Sequence, residues 1–412
     1  MNRRNFIGKT SLQLAALNLI GLTATKSAMA GIPEPKNTNQ EKDQSGKIIY
    51  RTLGKTGIKL PVVNMGVMNA SLPGLIARSY EKGIRLFDTA WYYQNGMNEK
   101  MVGEALAKLG VRDKVNIMTK VFLRETKRDV YAPEIKKLFT DRFEESLKRL
   151  QTNYVDILLY HSAIELKELS NPPIMEAFEE LKKAGKYRFR GVSLHGDDAA
   201  MVDEIVRTKF FDVILVMFNI AYAEDTRLIK SLENAAKEGI AIIAMKTQCG
   251  GGGNMWWERH KDSKELLGSL NQKAMLKWVL QHDFISTAIP GYTTYDQLEE
   301  NFSVAYDISY TEEERKFLEK AQVKLAQSFC THCEQCRPSC PYNVDIPTLM
   351  RTYMYAYQYN NIQHALITEK SIPEEAGLNR CYLCDSCSVA CPRSLNVTNR
   401  IEALKELNFR YA

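Results

Sequence analysis

Acidic residues are missing from the first thirty positions, and beyond them no apolar run approaches the ~20 residues that a membrane-spanning helix needs. A large charge of either sign is missing too. The net charge is +6, but Arg3, Arg4, Lys9 and Lys26 supply four of those charges, and without them 51 basic residues face 49 acidic ones, or +2. So balanced a body carries no electrostatic footprint for nucleic acid. Cysteine is nearly absent before residue 330: Cys249 has no cysteine neighbour and reads as a passive small side chain.

What is present suffices for more than one domain. The 412 residues, 45% hydrophobic and 25% charged, are those of an ordinary globular chain, and one barrel of about 250 residues with a small added module is the economical arrangement.

The acid-free start reads as an address. Arg3, Arg4 and Lys9 precede the apolar run SLQLAALNLIGLTAT, and Ala28-Met29-Ala30 forms a small-x-small cleavage site. RRNFIGK resembles the twin-arginine export signal, which implies cleavage after Ala30 and a destination outside the inner membrane of a bacterium, in the periplasm or beyond. The alternative is a helix that packs on the body or anchors it to a membrane; only an uncleaved signal gives membrane contact. Residues 31–46, polar with two prolines, read as a flexible linker.

From 47 to about 310 short apolar runs alternate with amphipathic segments. The strand-like runs cover 62–67, 84–90, 115–120, 156–162, 187–194, 212–219, 240–246 and 286–291. Between them, PIMEAFEELKKAGK places Ile174, Phe178 and Leu181 on one helical face, and EDTRLIKSLENAAKEG does the same with Leu228, Leu232 and Ala235. Eight near-continuous apolar strands separated by helices predict an α/β fold, a (β/α)8 TIM barrel, with its active site at the C-terminal strand ends.

RTLGKTGIKLPVVNMG, FDTAWYYQNGMNEKMVGEAL, the strand endings MTK, LLYH and GVS, and IPGYTTYDQLEEN occur in this order between residues 48 and 305. Together they resemble the aldo-keto reductase family. The resemblance implies a carbonyl reductase or alcohol dehydrogenase acting on a small molecule, with Asp88, Tyr93, Lys120 and His161 as its catalytic set. Physical chemistry allows those roles. Lys120, held by Asp88, is expected to lower the phenol pKa of Tyr93 from ~10 so that it protonates the carbonyl oxygen, while His161 orients the carbonyl.

The same resemblance implies NAD(P), with Ser193 at the nicotinamide amide, Gly291 in the loop after the last strand and Glu300 with Asn301 at the adenine. The chain departs from the family at three contacts. Leu194 and Leu215 stand where the family has Asn and Gln for the carboxamide, and Thr293 where a basic residue often meets the 2′-phosphate. The glycines in CGGGGN, 249–254, allow close approach to a diphosphate or simply loop mobility. Trp91, Tyr92, Trp256 and Trp257 could line an aromatic substrate pocket, although ordinary packing explains each.

Cys330, Cys333, Cys336 and Cys340-Pro341 follow C-x2-C-x2-C-x3-C-P, and Cys381, Cys384, Cys387 and Cys391-Pro392 repeat it. Zinc modules typically use two cysteine pairs across a longer loop, whereas three thiolates spaced by two residues wrap around a 4Fe-4S cube; disulfides remain the alternative in an exported chain. The segment resembles a helical two-cluster ferredoxin module, which implies two 4Fe-4S clusters and a shared fourth ligand: Cys391 with Cys330, Cys333 and Cys336, and Cys340 with Cys381, Cys384 and Cys387. The insert carries Leu349, Tyr353 and Tyr357 on one helical face, and 311–329 predicts a connecting helix that begins the 311–412 module.

Clusters and address explain one another, because the twin-arginine route exports folded, cofactor-loaded proteins. The expectation is an exported oxidoreductase whose clusters exchange electrons with a redox partner protein. A carrier whose barrel no longer turns over is the alternative.

Overall fold

The computed structural model describes residues 32–33, 40–43, 46–123, 131–249, 271–326 and 329–407. The expected export signal at 1–30, most of the expected linker, the glycines at 250–253 and Trp256 with Trp257 lie outside the described residues.

A three-stranded antiparallel sheet comes first, β1 (Glu41–Lys42), β2 (Ile49–Thr52) and β3 (Lys59–Pro61). Its strands are too short for an apolar period to reveal them. Leu53, Ile58 and Leu60, from the β2–β3 hairpin, nevertheless enter the barrel core beside Ala241 and Ile243.

Eight parallel strands then follow in sequence order: β4 (Met65–Gly66), β5 (Leu86–Asp88), β6 (Asn116–Val121), β7 (Val155–Ala163), β8 (Tyr187–Leu194), β9 (Val213–Met217), β10 (Ala241–Met245) and β11 (Thr287–Ala288). Parallel bridges Val63–Ala288 and Gly66–Gly291 join the last strand to the first and all but close the barrel. Closure is tight at Gly66, where a Cβ atom would meet the Ile289 carbonyl oxygen at 2.9 Å.

Inward positions two apart, such as Ile157 with Leu159 and Val213 with Leu215, stack Leu, Ile, Val and Met into the core. Each such side chain contributes about 1.5–3 kcal/mol on burial. Helices α1 (Pro73–Lys82), α2 (Met97–Leu109), α3 (Glu134–Arg149), α4 (Pro172–Lys183), α5 (Asp198–Thr208), α6 (Thr226–Lys237), α7 (Gln272–Leu280) and α8 (Tyr295–Ser303) cover the outside. Ile174, Phe178 and Leu181 of α4, and Leu228, Leu232 and Ala235 of α6, are buried.

The C-terminal region is helical. Helix α9 (Glu312–Ala326) is fastened to α7 by a buried Lys277–Glu314 ion pair of 2.8 Å. Helix α10 (Ile346–Tyr353) runs without a break into a π-helical turn, Met354–Gln358, and is followed by α11 (Ile362–Lys370) and α12 (Val397–Glu406). Asp345, Asn361 and Asn396 cap the last three helices, each side chain accepting from a backbone N–H three residues on.

Candidate functional site

Asp88 ends β5, Lys120 lies near the end of β6, and His161 lies on β7 where its register breaks between Tyr160 and Ala163. Tyr93 follows β5 in a short turn where Gln94 and Asn95 take φ of 51° and 53°. Strand order therefore brings the four expected side chains to one end of the barrel, all of them buried. Lys120 Nζ lies 2.7 Å from Asp88 Oδ1 and 2.6 Å from the Thr89 carbonyl, and donates to the Tyr93 hydroxyl at 3.4 Å. The His161 ring lies edge-on to Tyr93, with centroids 5.8 Å apart.

Burial dominates the acid-base behaviour. It raises the Asp88 carboxyl and lowers the Lys120 ammonium, and the contact between them offsets both shifts. Tyr93 departs from expectation: its pKa is raised well above 10, because burial, reinforced by the Asp88 carboxylate, outweighs the ammonium beside it. The phenol thus stays protonated. Burial, helped by Lys120, His364, Lys246 and Arg351, holds His161 well below its usual pKa, so this imidazole is neutral.

The C-terminal region supplies a second layer that motif spacing did not reveal. Tyr92, one of the aromatics singled out, places its hydroxyl 3.2 Å from His364 Nε2, and its ring stacks on His364 at 5.2 Å. His364 packs against Tyr355 of the π-helical turn at 4.0 Å. Lys246, just past β10 with φ of 54°, places Nζ 2.9 Å from His195 Nε2 and 5.3 Å from the Tyr355 ring. Arg351 of α10 donates to the His195 carbonyl at 3.4 Å. Lys246 and His195 sit at apolar strand ends, where a charged or titratable residue is itself a signal. No comparable cue marks Arg351 or His364, because only docking brings them there. Trp91 takes no part: its indole donates to Glu145 at 2.7 Å, and Arg142 stacks on it at 4.1 Å.

The expected nicotinamide contacts fit poorly. The Ser193 hydroxyl already accepts from the Ser162 N–H at 2.8 Å, while Leu194 and Leu215 are fully buried and offer a carboxamide nothing. Asn301 Oδ1 accepts from Gln248 at 2.6 Å, Gly291 lies exposed beside the barrel closure, and Glu300 lies at the surface with the unbasic Thr293. Cys249 is buried, which pushes its thiol up to about 12 and suits a passive side chain.

The cysteines gather in two groups. Cys330 is pushed up to about 12, chiefly by burial and then by Cys336, Cys333 and Cys391; Cys381 is likewise pushed to about 12, by burial and by Cys340, Cys387 and Cys384. Each group draws one thiol from the other motif. Backbone N–H groups of His332 and Val344 donate to Cys330 and Cys340 at 3.4 and 3.5 Å, and Val344, Ile346 and Ile401 wall the second group. Four crowded thiols in an apolar wall suit an iron-sulfur cube, which takes thiolates and removes their mutual repulsion.

Residues 69–274 match the profile described as Aldo/keto reductase family, and residues 329–396 that described as 4Fe-4S dicluster domain. The chain is 29% identical to L-galactose dehydrogenase of Arabidopsis thaliana over 294 residues, covering 64% of this chain and 89% of that protein. It is 31% identical to the aldo-keto reductase YhdN of Bacillus subtilis over 155 residues, 35% of this chain and 46% of that one. Among solved structures, the holo form of an aldo-keto reductase from Bacillus halodurans superposes with a TM-score of 0.54 at 24% identity, covering 70% of this chain and all of that one. An aldo/keto reductase from Klebsiella pneumoniae in complex with NADP and acetate gives 0.50 at 22%, covering 65% and 94%. Both likenesses concern the fold.

Proposed function

Because the chain belongs to the aldo/keto reductase family, we propose that it is an exported oxidoreductase that interconverts a carbonyl and an alcohol, with two 4Fe-4S clusters exchanging electrons with a redox partner protein. The observation that carries this reading is the buried series Asp88–Lys120–Tyr93 with the neutral His161 beside it.

In the reducing direction a carbonyl takes up two electrons and two protons. Tyr93, kept protonated by burial, donates one proton to the carbonyl oxygen, and Lys120 stabilises the phenolate left behind. Asp88 holds Lys120 in place, and His161, being neutral, hydrogen-bonds the substrate oxygen without adding charge. Cys330, Cys333, Cys336 with Cys391, and Cys381, Cys384, Cys387 with Cys340, would hold the clusters, which when bound supply one electron each. The second proton comes from water.

NAD(P) is the expected hydride source in this family, but Leu194, Leu215 and Thr293 do not suit it. Export by the twin-arginine route rests on RRNFIGK and Ala28-Met29-Ala30, and fits a chain that must leave the cytoplasm with its clusters in place. The second reading, a carrier with a silent barrel, draws support from the same leucines.

Anaerobic titration of the purified protein with NADH and NADPH, following the clusters by electron paramagnetic resonance, tests the assignment. Cluster reduction by either nucleotide makes barrel and module one electron path. Binding of neither, with no aldehyde reduced by protein charged with reduced viologen, sinks the reductase and leaves the carrier.

A further inference from the structure

The two cysteine groups stand differently toward the barrel. His332 lies between Cys330 and Cys333 and is buried, and its ring faces that of His195, just past β8, with centres 6.4 Å apart. The backbone N–H of the same His332 donates to Cys330 Sγ at 3.4 Å, so one residue touches both an expected cluster ligand and the barrel. Arg393, two residues after Cys391, donates to the Ala221 carbonyl in the turn after β9 at 2.5 Å. A cavity of about 210 Å³ draws its walls from both sides, Asp198 and Asp225 from the barrel and Thr331, Cys333 and Arg393 from the module.

The Cys340 group is set apart from the barrel. Among the described residues, the hollow beside it is lined by the module alone, with Tyr342, Ile346, Val389 and Lys405 around Cys340, Cys381, Cys384 and Cys387. Between two of those thiols, Tyr382 and Leu383 are 47% and 54% exposed, so this group lies close to the surface.

From His195 the contacts run on into the catalytic site. Lys246 Nζ lies 2.9 Å from His195 Nε2 and 5.3 Å from the Tyr355 ring. The Tyr355 and His364 ring centres are 4.0 Å apart, and those of His364 and Tyr93 5.7 Å.

The geometry points to an order within the module: the Cys330 group is the inner one, coupled to the catalytic rim through His332 and His195, and the Cys340 group is the outer one, where a donor protein's electrons enter. This rests on the carbonyl–alcohol reading above. Two electrons pass inward singly, the donor being oxidised by one each time, and no bond forms or breaks on the way. The pair then reduces the carbonyl, with Tyr93 and water supplying its two protons. Hydrogen bonds to sulfur, the surrounding side chains and solvent exposure set the potential of an iron-sulfur cluster, so changes at the two imidazoles should be felt by one group and not by the other.

The test uses the full-length, cluster-loaded protein under anaerobic conditions, reduced with dithionite and followed by electron paramagnetic resonance, with Cys391→Ser and Cys381→Ser assigning the two signals. A dysprosium–EDTA complex, confined to water, should raise the half-saturation power of the Cys340-group signal several-fold more than that of the Cys330 group. His332→Leu and His195→Leu should each change the ratio of reduced to oxidised Cys330 group at a fixed potential by about 3- to 10-fold and leave that of the Cys340 group unchanged. When butanal is added to the reduced protein, each variant should slow the decay of the signals by about 10-fold, and the double variant by no more than either, as for two contacts in series. Should His332→Leu lose iron, His195→Leu, a change within the barrel, carries the comparison.

Equal enhancement of both signals by dysprosium, or a greater one at the Cys330 group, overturns the order. An unchanged Cys330-group ratio in His195→Leu, or signals that decay as fast in the variants as in the parent, overturns the coupling through the imidazoles. These results leave the reductase reading untouched. Enhancement and ratios as expected, with no decay on butanal even in the parent, uphold the order and remove the reductase reading instead.

Discussion

In the barrel, Leu86, Met118, Leu215 and Ile243 fill the interior without a polar group among them, whereas residues 330–391 of the module set eight thiols in two groups among short helices. The first region gains stability from buried apolar area. The second crowds groups that repel one another on ionisation and that burial pushes toward the neutral form, up to about 12 at Cys330 and Cys381. Left alone, such a group works against its own compactness; its stability therefore depends on what the thiols bind.

That contrast breaks first at the cysteines. Cys330→Ser should cost the module at least one cluster, read as a fall of about half or more in iron per chain, while the barrel's strand signal in circular dichroism survives. Unchanged iron content would erase the distinction between the two regions.

Next in size is Lys120→Met, which leaves Asp88 buried without its cation. A loss of about 3–5 kcal/mol, measured by thermal unfolding, is expected. Tyr93→Phe removes a proton donor and should lower kcat for an aldehyde by about 10²- to 10⁴-fold with little change in melting temperature.

Asp198→Asn sharpens the comparison through pH. The folded pKa of Asp198 is raised to about 8 from 3.8, so the native state loses stability as pH rises through that interval. The melting temperature of the variant should therefore gain on that of the parent between about pH 4 and pH 8; a constant difference would mean that Asp198 does not titrate there. Lys136→Ala, which removes exposed pairs with Glu176 and Glu180, should leave the melting temperature unchanged within error.

The two regions were legible for different reasons. Apolar runs revealed all eight barrel strands, although β4 and β11 shrink to two residues each because the closing edge is made by isolated bridges rather than full ladders. The β2–β3 hairpin escaped because three or four residues carry no period. Cysteine spacing revealed the module but said nothing of where it docks. Asp88, Tyr93, Lys120 and His161 could be placed together because strand order alone brings them to one rim. The direction of the Tyr93 shift could not, since desolvation depends on how deeply the neighbouring helices cover the phenol. Arg351, Tyr355 and His364 remained invisible as site residues, since nothing in DIPTLMRTYMYAYQYNN marks the side that meets the barrel.

The exchange of one thiol between the two motifs has a temporal side. As the chain leaves the ribosome, Cys330 emerges early in the module, yet its group is finished only by Cys391, and the group of Cys340 only by Cys387. Both are therefore completed within four residues of each other, by the last cysteines of the second motif. A nascent or truncated chain ending before Cys381 has neither, so iron loading doubles as a check that the second cysteine motif has been made.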